Sequence, residues 1–219
     1  MTRDLEFGRV PPKSGKVRKM VVFLHGYGAD GADLLGLADP LAPHLPDTVF
    51  VAPDAPEPCA GNPFGRQWFP IPRLDGSSEA ASAASLMQSA QALNAFLDAR
   101  IKEEGITSAD VVLFGFSQGT MMALHVAPRR KEPFAGIVAF SGRLLRPELL
   151  KTEARVKPPV MLIHGDADQM VPFGDMRVAG QALTSAGFNV YGHVMKGTGH
   201  GIAPDGLQFA LAFMADRLG

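Results

Sequence analysis

A single cysteine, Cys59, rules out an internal disulfide and leaves no thiolate set for zinc, so the fold has to be held by packing. Aromatic side chains other than Phe are almost missing: one Trp and two Tyr stand among 219 residues, so Trp68 is the one indole the chain can place. Net charge is also nearly absent. Against 21 basic side chains stand 22 acidic ones, and the net charge of -1 gives nucleic acid no electrostatic reason to bind. Two small basic clusters, Lys13, Lys16, Arg18 and Lys19, then Arg129, Arg130 and Lys131, lack interleaved aromatics and read as solvated surface. No apolar run approaches the roughly 18 residues that span a bilayer. The start, from Met1 to Gly8, has no apolar core behind a basic residue, so a cytoplasmic protein without membrane insertion is expected. Hydrophobic residues make up 46% and charged residues 20%, which suits a large apolar core, and a single domain over residues 1–219 is expected.

What the chain does contain is an alternation of short apolar runs and helical segments. Met20 to Leu24 is continuously apolar, as a strand buried on both faces must be, and runs at 48–52, 110–114, 134–140, 160–164 and 189–194 repeat the pattern. Helices are predicted over 33–42, 79–104, 118–127, 173–186 and 205–218; in the longest, Ala83, Met87, Ala90, Leu93, Leu97 and Ile101 recur three and four apart and Gly105 follows as a stop. Strands alternating with helices imply a doubly wound, mostly parallel α/β sheet. Residues 53 to 77 interrupt the alternation with six prolines and no period. Loops this long in a compact domain are ordinarily functional, so an ordered segment over the site is expected. It emerges from the carboxyl end of a strand, where open α/β sheets bind ligands, and this makes Trp68 and Phe69 candidate substrate-binding residues. Trp68 has a second reading, compatible with the first, in which it staples the segment to the core. Cys59, in the same segment, has no strand-turn-helix context and reads as structural or incidental.

The stretch that organises the chain is Val111 to Leu124. An apolar run leads into Gly115-Phe116-Ser117-Gln118-Gly119, and a helix-forming run without interior Gly or Pro follows. Strand, tight turn and helix in that order are the context of a nucleophile elbow. The glycines have a steric reason, since strand and helix pass too close for a Cβ on either. Ser117 would present its hydroxyl at the N-terminus of the following helix, where free N–H groups favour a developing oxyanion.

A serine hydroxyl is a poor nucleophile until a base takes its proton, and the base needs a carboxylate to fix its tautomer. Downstream of Ser117 stand His125, His164, His193 and His200. The first lies inside the elbow helix, the second ends a strand and the third sits within the last strand, so each reads as structural. His200 lies in the Gly-rich loop 196–201 after that last strand, where an imidazole can reach back. The turn after the preceding strand, His164-Gly165-Asp166-Ala167-Asp168, offers two acids that spacing does not separate.

With Phe23-Leu24-His25-Gly26-Tyr27-Gly28, Gln67-Trp68-Phe69, Gly115-Phe116-Ser117-Gln118-Gly119, His164-Gly165-Asp166-Ala167-Asp168, Val171-Pro172 and Gly199-His200 in that order, the chain resembles the phospholipase/carboxylesterase family. This small lidless group of α/β-hydrolases contains bacterial carboxylesterases and acyl-protein thioesterases. The resemblance implies the α/β-hydrolase fold, Ser117 as nucleophile, Asp168 as acid and His200 as base. It also implies an oxyanion hole made by the backbone N–H groups of Tyr27 and Gln118. Family members commonly carry a leucine where Tyr27 stands, which makes the acyl pocket a place to look for a difference. Residues 141 to 159 are too few for a helical lid domain.

The implied activity is hydrolysis of short- to medium-chain acyl esters through an acyl-enzyme, with no metal and no organic cofactor. A thioesterase or a lysophospholipase would use the same triad. A non-catalytic binding module of the same fold is the distant rival, but it need not keep a Ser, an acid and a His at three strand ends. The partner is a small-molecule acyl ester; a homodimer is left open. Because an imidazole accepts a proton only when neutral, ester hydrolysis should rise with pH through one ionisation, and a flat profile between about pH 5 and 8 would argue against a His base.

Overall fold

Each continuous apolar run forms a strand, because a segment hydrophobic on both faces can be satisfied only in the middle of a sheet. In the computed structural model, which describes residues 4–219, the strands are β1 (Phe7–Val10), β2 (Lys19–Leu24), β3 (Thr48–Pro53), β4 (Glu57–Cys59), β5 (Asn62–Gln67), β6 (Val111–Phe116), β7 (Gly136–Phe140), β8 (Val160–Gly165) and β9 (Val190–Met195). The helices are α1 (Gly31–Leu35), α2 (Ala38–Leu41), α3 (Pro72–Asp75), α4 (Glu79–Glu104), α5 (Gln118–Val126), α6 (Leu150–Glu153), α7 (Gly174–Ser185) and α8 (Pro204–Leu218). The main sheet has seven strands in the order β1-β3-β2-β6-β7-β8-β9, and β4 and β5 form a separate hairpin. All neighbours in the main sheet are parallel except β1, which lies antiparallel along β3.

Side chains alternate between two helix layers. Met20, Val22 and Leu24 pack in the core shared with α4, α5 and α7, whereas Val21 and Phe23 pack in the core shared with α1, α2 and α8. From β2 the chain moves outward to β3, and from β6 it moves the opposite way to β7, β8 and β9. The reversal therefore falls between β2 and β6, whose carboxyl ends pair at Leu24 and Gly115. Such a switch point leaves a crevice at the carboxyl edge of the sheet.

Several elements differ from the sequence expectation for local reasons. β1, four residues alternating exposed and half-buried, is too short for its periodicity to register, and pairing with β3 makes it a strand. The helix expected over 33–42 is two short helices, α1 and α2. It starts early because Asp30 and Asp33 cap it reciprocally, and Gly36 ends its first part. Residues 53 to 77 are ordered, as expected, but they carry hairpin β4–β5 and the one-turn α3 rather than irregular chain alone. Between β7 and β8 the only helices are a 3-10 turn at Pro147–Leu149 and the one-turn α6.

Helix α5 is buried along its whole length, His125 included. Burial, joined by the Arg129 and Arg146 cations and opposed by Glu153, pushes the His125 imidazole down from 6.5 to about 4. An unfolded chain takes up this proton over that interval and the folded one does not. Folding stability should thus be full above about pH 6.5 and decline as pH falls to about 4. Melting curves across this window should show the decline, and His125→Gln should flatten it; an unchanged slope would place the acid sensitivity elsewhere.

Candidate active site

The elbow exists because α5 returns tightly over the sheet. A Cβ on Gly115 would stand 2.5 Å from Thr120 N, and one on Gly119 would stand 1.8 Å from Leu24 O. Between them Ser117 is held at φ 54 and ψ -114, a backbone conformation that L-residues seldom adopt. Ser117 N donates to Phe140 O at 2.9 Å, and the Thr120 hydroxyl lies 2.8 Å from Gly115 O and 2.7 Å from Phe140 O. Surrounding structure therefore over-determines the strained residue.

The other two members of the expected site arrive from β8 and β9. Ser117 Oγ lies 3.0 Å from His200 Nε2, and His200 Nδ1 lies 2.8 Å from Asp168 Oδ2. The second carboxylate oxygen of Asp168 accepts the N–H groups of Met170, at 2.9 Å, and Val171, at 3.0 Å. His164 comes from the strand behind, its Nε2 3.3 Å from Asp168 Oδ2 and 3.0 Å from Val171 O. Burial alone would raise the Asp168 pKa. The His200 hydrogen bond, the Val171 N–H, the His200 charge and the Met170 N–H outweigh it and hold the carboxyl below its usual range. A hydroxyl bonded to an imidazole that is itself bonded to a carboxylate can lose its proton as it attacks an acyl carbon.

Asp166 points elsewhere. Its Oδ1 accepts Gly197 N–H at 2.7 Å and Lys196 Nζ stands 3.6 Å from its Oδ2, so it fixes the loop that carries His200. Gly165 allows that approach, since a Cβ there would lie 2.2 Å from Thr198 O. His193 is bound to Asp205 at 2.7 Å and stacked on Phe209, away from Ser117.

Of Tyr27 and Gln118, the expected oxyanion donors, the first lies in the loop after β2 and the second opens α5. Among the described residues neither backbone N–H donates to a protein acceptor. Gly26 lies against Ser117, since a Cβ on it would stand 3.3 Å from Ser117 Cβ. The Tyr27 phenol sits 3.5 Å from Asp75 Oδ2, and burial, Cys59 and Asp75 all raise its pKa, so it stays protonated.

Trp68 is enclosed by its neighbours. Its side chain has no exposed surface, and its indole N–H donates to His25 O at 3.0 Å, the geometry of a staple. Phe69 is buried too, at 6% exposure. The cause is the Gln118 side chain, whose Oε1 accepts Trp68 N–H at 2.8 Å and whose Nε2 donates to Phe69 O at 2.7 Å. Ser89 Oγ donates to Trp68 O from α4. The 53–77 segment is also tied to the acid turn, Arg73 donating to Met170 O at 2.9 Å. Sequence reading missed this role of the Gln118 side chain and that of the buried His25; the one signal was a polar residue following five apolar ones at the end of β2.

No cluster of three or more His, Cys, Asp or Glu side chains suited to a metal occurs among the described residues, and no helix there is long and apolar enough to cross a membrane. The phospholipase/carboxylesterase family profile matches residues 6–218. An esterase, YpfH of Escherichia coli (strain K12), is 29% identical over 194 residues, covering 89% of this chain and 81% of its own. Acyl-protein thioesterase 1 of Saccharomyces cerevisiae is 32% identical over 228 residues, covering 96% and 97%. The crystal structure of esterase PE8 superposes with a TM-score of 0.93 at 44% identity, covering 99% of this chain and 100% of that one. The chain belongs to the phospholipase/carboxylesterase family of α/β-hydrolases, a family of carboxylic ester hydrolases.

Trp68→Ala should lower stability by about 3–5 kcal/mol, since it empties a fully enclosed site and orphans His25 O. Chemical denaturation would measure this. A stable variant with a changed acyl-chain preference would return Trp68 to the substrate.

Proposed function

We propose that the protein is a single-domain serine carboxylesterase for short- to medium-chain acyl esters, with Ser117 as nucleophile, His200 as general base and acid, and Asp168 as the orienting carboxylate. The observation that carries this reading is the unbroken hydrogen-bonded chain from Ser117 Oγ through His200 to Asp168, beside two N–H groups without protein acceptors. Ser117 Oγ attacks the ester carbonyl while its proton passes to His200 Nε2, and the charge left on the carbonyl oxygen is taken by the N–H groups of Tyr27 and Gln118. His200 then protonates the departing alcohol. Water, deprotonated by the same imidazole, releases the acid and restores Ser117. Asp168 remains an anion throughout and stabilises the imidazolium.

Leu74 and Met170, both about half exposed, with Met170 O held by the Arg73 side chain, are apolar surface that the acyl chain would use alongside the Trp68–Phe69 segment. The yeast relative, an acyl-protein thioesterase matched over 97% of its length, supports a second reading in which the leaving group is a thiol. The acyl-enzyme is the same in both. Parallel chain-length series of esters and thioesters would separate them.

Ser117→Ala should fold and lose about 10⁴-fold or more in turnover, and retention of more than about a tenth of the activity would overturn the assignment. Asp168→Asn should lose turnover on a comparable scale, because an amide facing His200 favours the wrong tautomer. Asp166→Asn keeps an oxygen for Gly197 N–H and should keep most of the turnover; exchanged phenotypes would make Asp166 the acid.

A further inference from the structure

The first histidine of the chain has no place in the triad, yet it is buried completely at the carboxyl end of β2. Its ring touches two backbone groups. Ala55 N–H donates to Nε2 at 2.9 Å, which leaves that nitrogen bare, so in the neutral ring the proton stands on Nδ1. Nδ1 lies 2.7 Å from Gly26 O and therefore donates to it. Burial holds the His25 imidazole below the ordinary range, outweighing the opposite pulls of the Gly26 carbonyl and of Asp54, Asp30 and Asp33.

The carbonyl that His25 holds belongs to the peptide unit whose other end is Tyr27 N–H. No cis peptide bond occurs among the described residues, so C=O and N–H of that planar unit point in opposite directions. Anchoring Gly26 O toward the His25 ring turns Tyr27 N–H away from it, and Gly26 itself lies against Ser117. We propose that His25 is a positioning residue of the oxyanion hole: its Nδ1–H fixes the Gly26–Tyr27 peptide plane so that Tyr27 N–H faces the acyl carbonyl held at Ser117. This rests on the triad reading above.

The ring is locked in turn. Trp68 Nε1–H binds His25 O, and the two rings lie 5.6 Å apart, so rotation of either disturbs the other. The remaining hold on Gly26 O is Ala29 N–H at a long 3.4 Å, in a turn that places Gly28 at φ 80. A peptide held from one side by so long a bond can flip, and a flipped unit presents a carbonyl oxygen to the developing oxyanion.

The test compares His25→Leu, which removes both ring contacts, with His25→Asn, whose amide nitrogen sits near the Nδ1 position and keeps the donor. Wild type and variants are assayed for kcat and KM on a short-chain aryl ester and for the rate of Ser117 labelling by an organophosphonate, whose phosphoryl oxygen occupies the same hole. His25→Leu should lose about 10²–10³-fold in kcat and in labelling rate with KM within a few-fold, the signature of one lost oxyanion donor. His25→Asn should recover at least about ten-fold of that loss. An intact kcat in His25→Leu, a loss carried by KM, or no recovery in His25→Asn would overturn the proposal. Should His25→Leu not fold, the ¹⁵N shifts of the His25 ring in the wild type decide it, with protonated Nδ1 and bare Nε2 expected and an Nε2–H tautomer overturning it. A wild-type protein that neither cleaves the ester nor is labelled at Ser117 would instead sink the triad reading.

Discussion

Closeness of the Gly119 backbone to the carbonyl oxygens of Leu24 and His25 is the constraint on which the rest depends. A Cβ at Gly119 would stand 1.8 Å from one and 2.8 Å from the other, so only glycine lets the first turn of α5 lie on the end of β2. That contact brings the loop after β2 to the loop after β6 at the switch point of the sheet. It also leaves Ser117 no backbone conformation except a strained one, which the surrounding hydrogen bonds to Phe140 O hold in place. Strain of this kind persists only where rigid neighbours impose it, and α5, buried on every side, is such a neighbour.

Around that contact the protein builds a buried polar network in place of a lid. Gln118 serves twice, its backbone N–H standing free at the helix start while its amide side chain grips Trp68 N and Phe69 O. Trp68 passes the hold to His25 O, and hairpin β4–β5 adds Gly28 N to Arg66 O and Arg66 N to Ala29 O, each at 2.8 Å. Each partner satisfies a group that would be costly to bury alone, so the segment over residues 53–77 is rigid where it meets the site. Preorganised donors of this sort need no rearrangement when charge develops.

Around Asp168 the electrostatics follow the same economy. Three donors converge on one buried carboxylate, the N–H groups of Met170 and Val171 on one oxygen and the His200 imidazole on the other. Their sum overcomes burial, so the acid stays ionised where a lone buried carboxylate would not. His125 shows the contrary case: buried, beside Arg129 and without a partner for Nδ1, it is driven to the neutral form.

The sequence by itself determined the alternation of strands and helices, the turn at Ser117, and the strand ends after which Asp168 and His200 stand. Those are local properties, since apolar continuity over five residues or a glycine flanking a tight turn expresses itself within a few residues of chain. It left Asp166 and Asp168 unseparated by spacing, and it left Trp68 suspended between substrate and core. The surroundings of all three are a matter of tertiary structure. Which of two acids faces an imidazole 32 residues away depends on how the loops after β8 and β9 cross, with Asp166 drawn to Gly197 and Asp168 to His200. Whether an indole is surface or staple depends on the groups that happen to meet it, here His25 O on the ring, with the Gln118 amide and Ser89 of α4 holding the Trp68 backbone. Neither the pairing of β1 nor the partners of the His25 ring can be read locally, because a strand edge and a backbone carbonyl exist as partners only once the chain has brought them there.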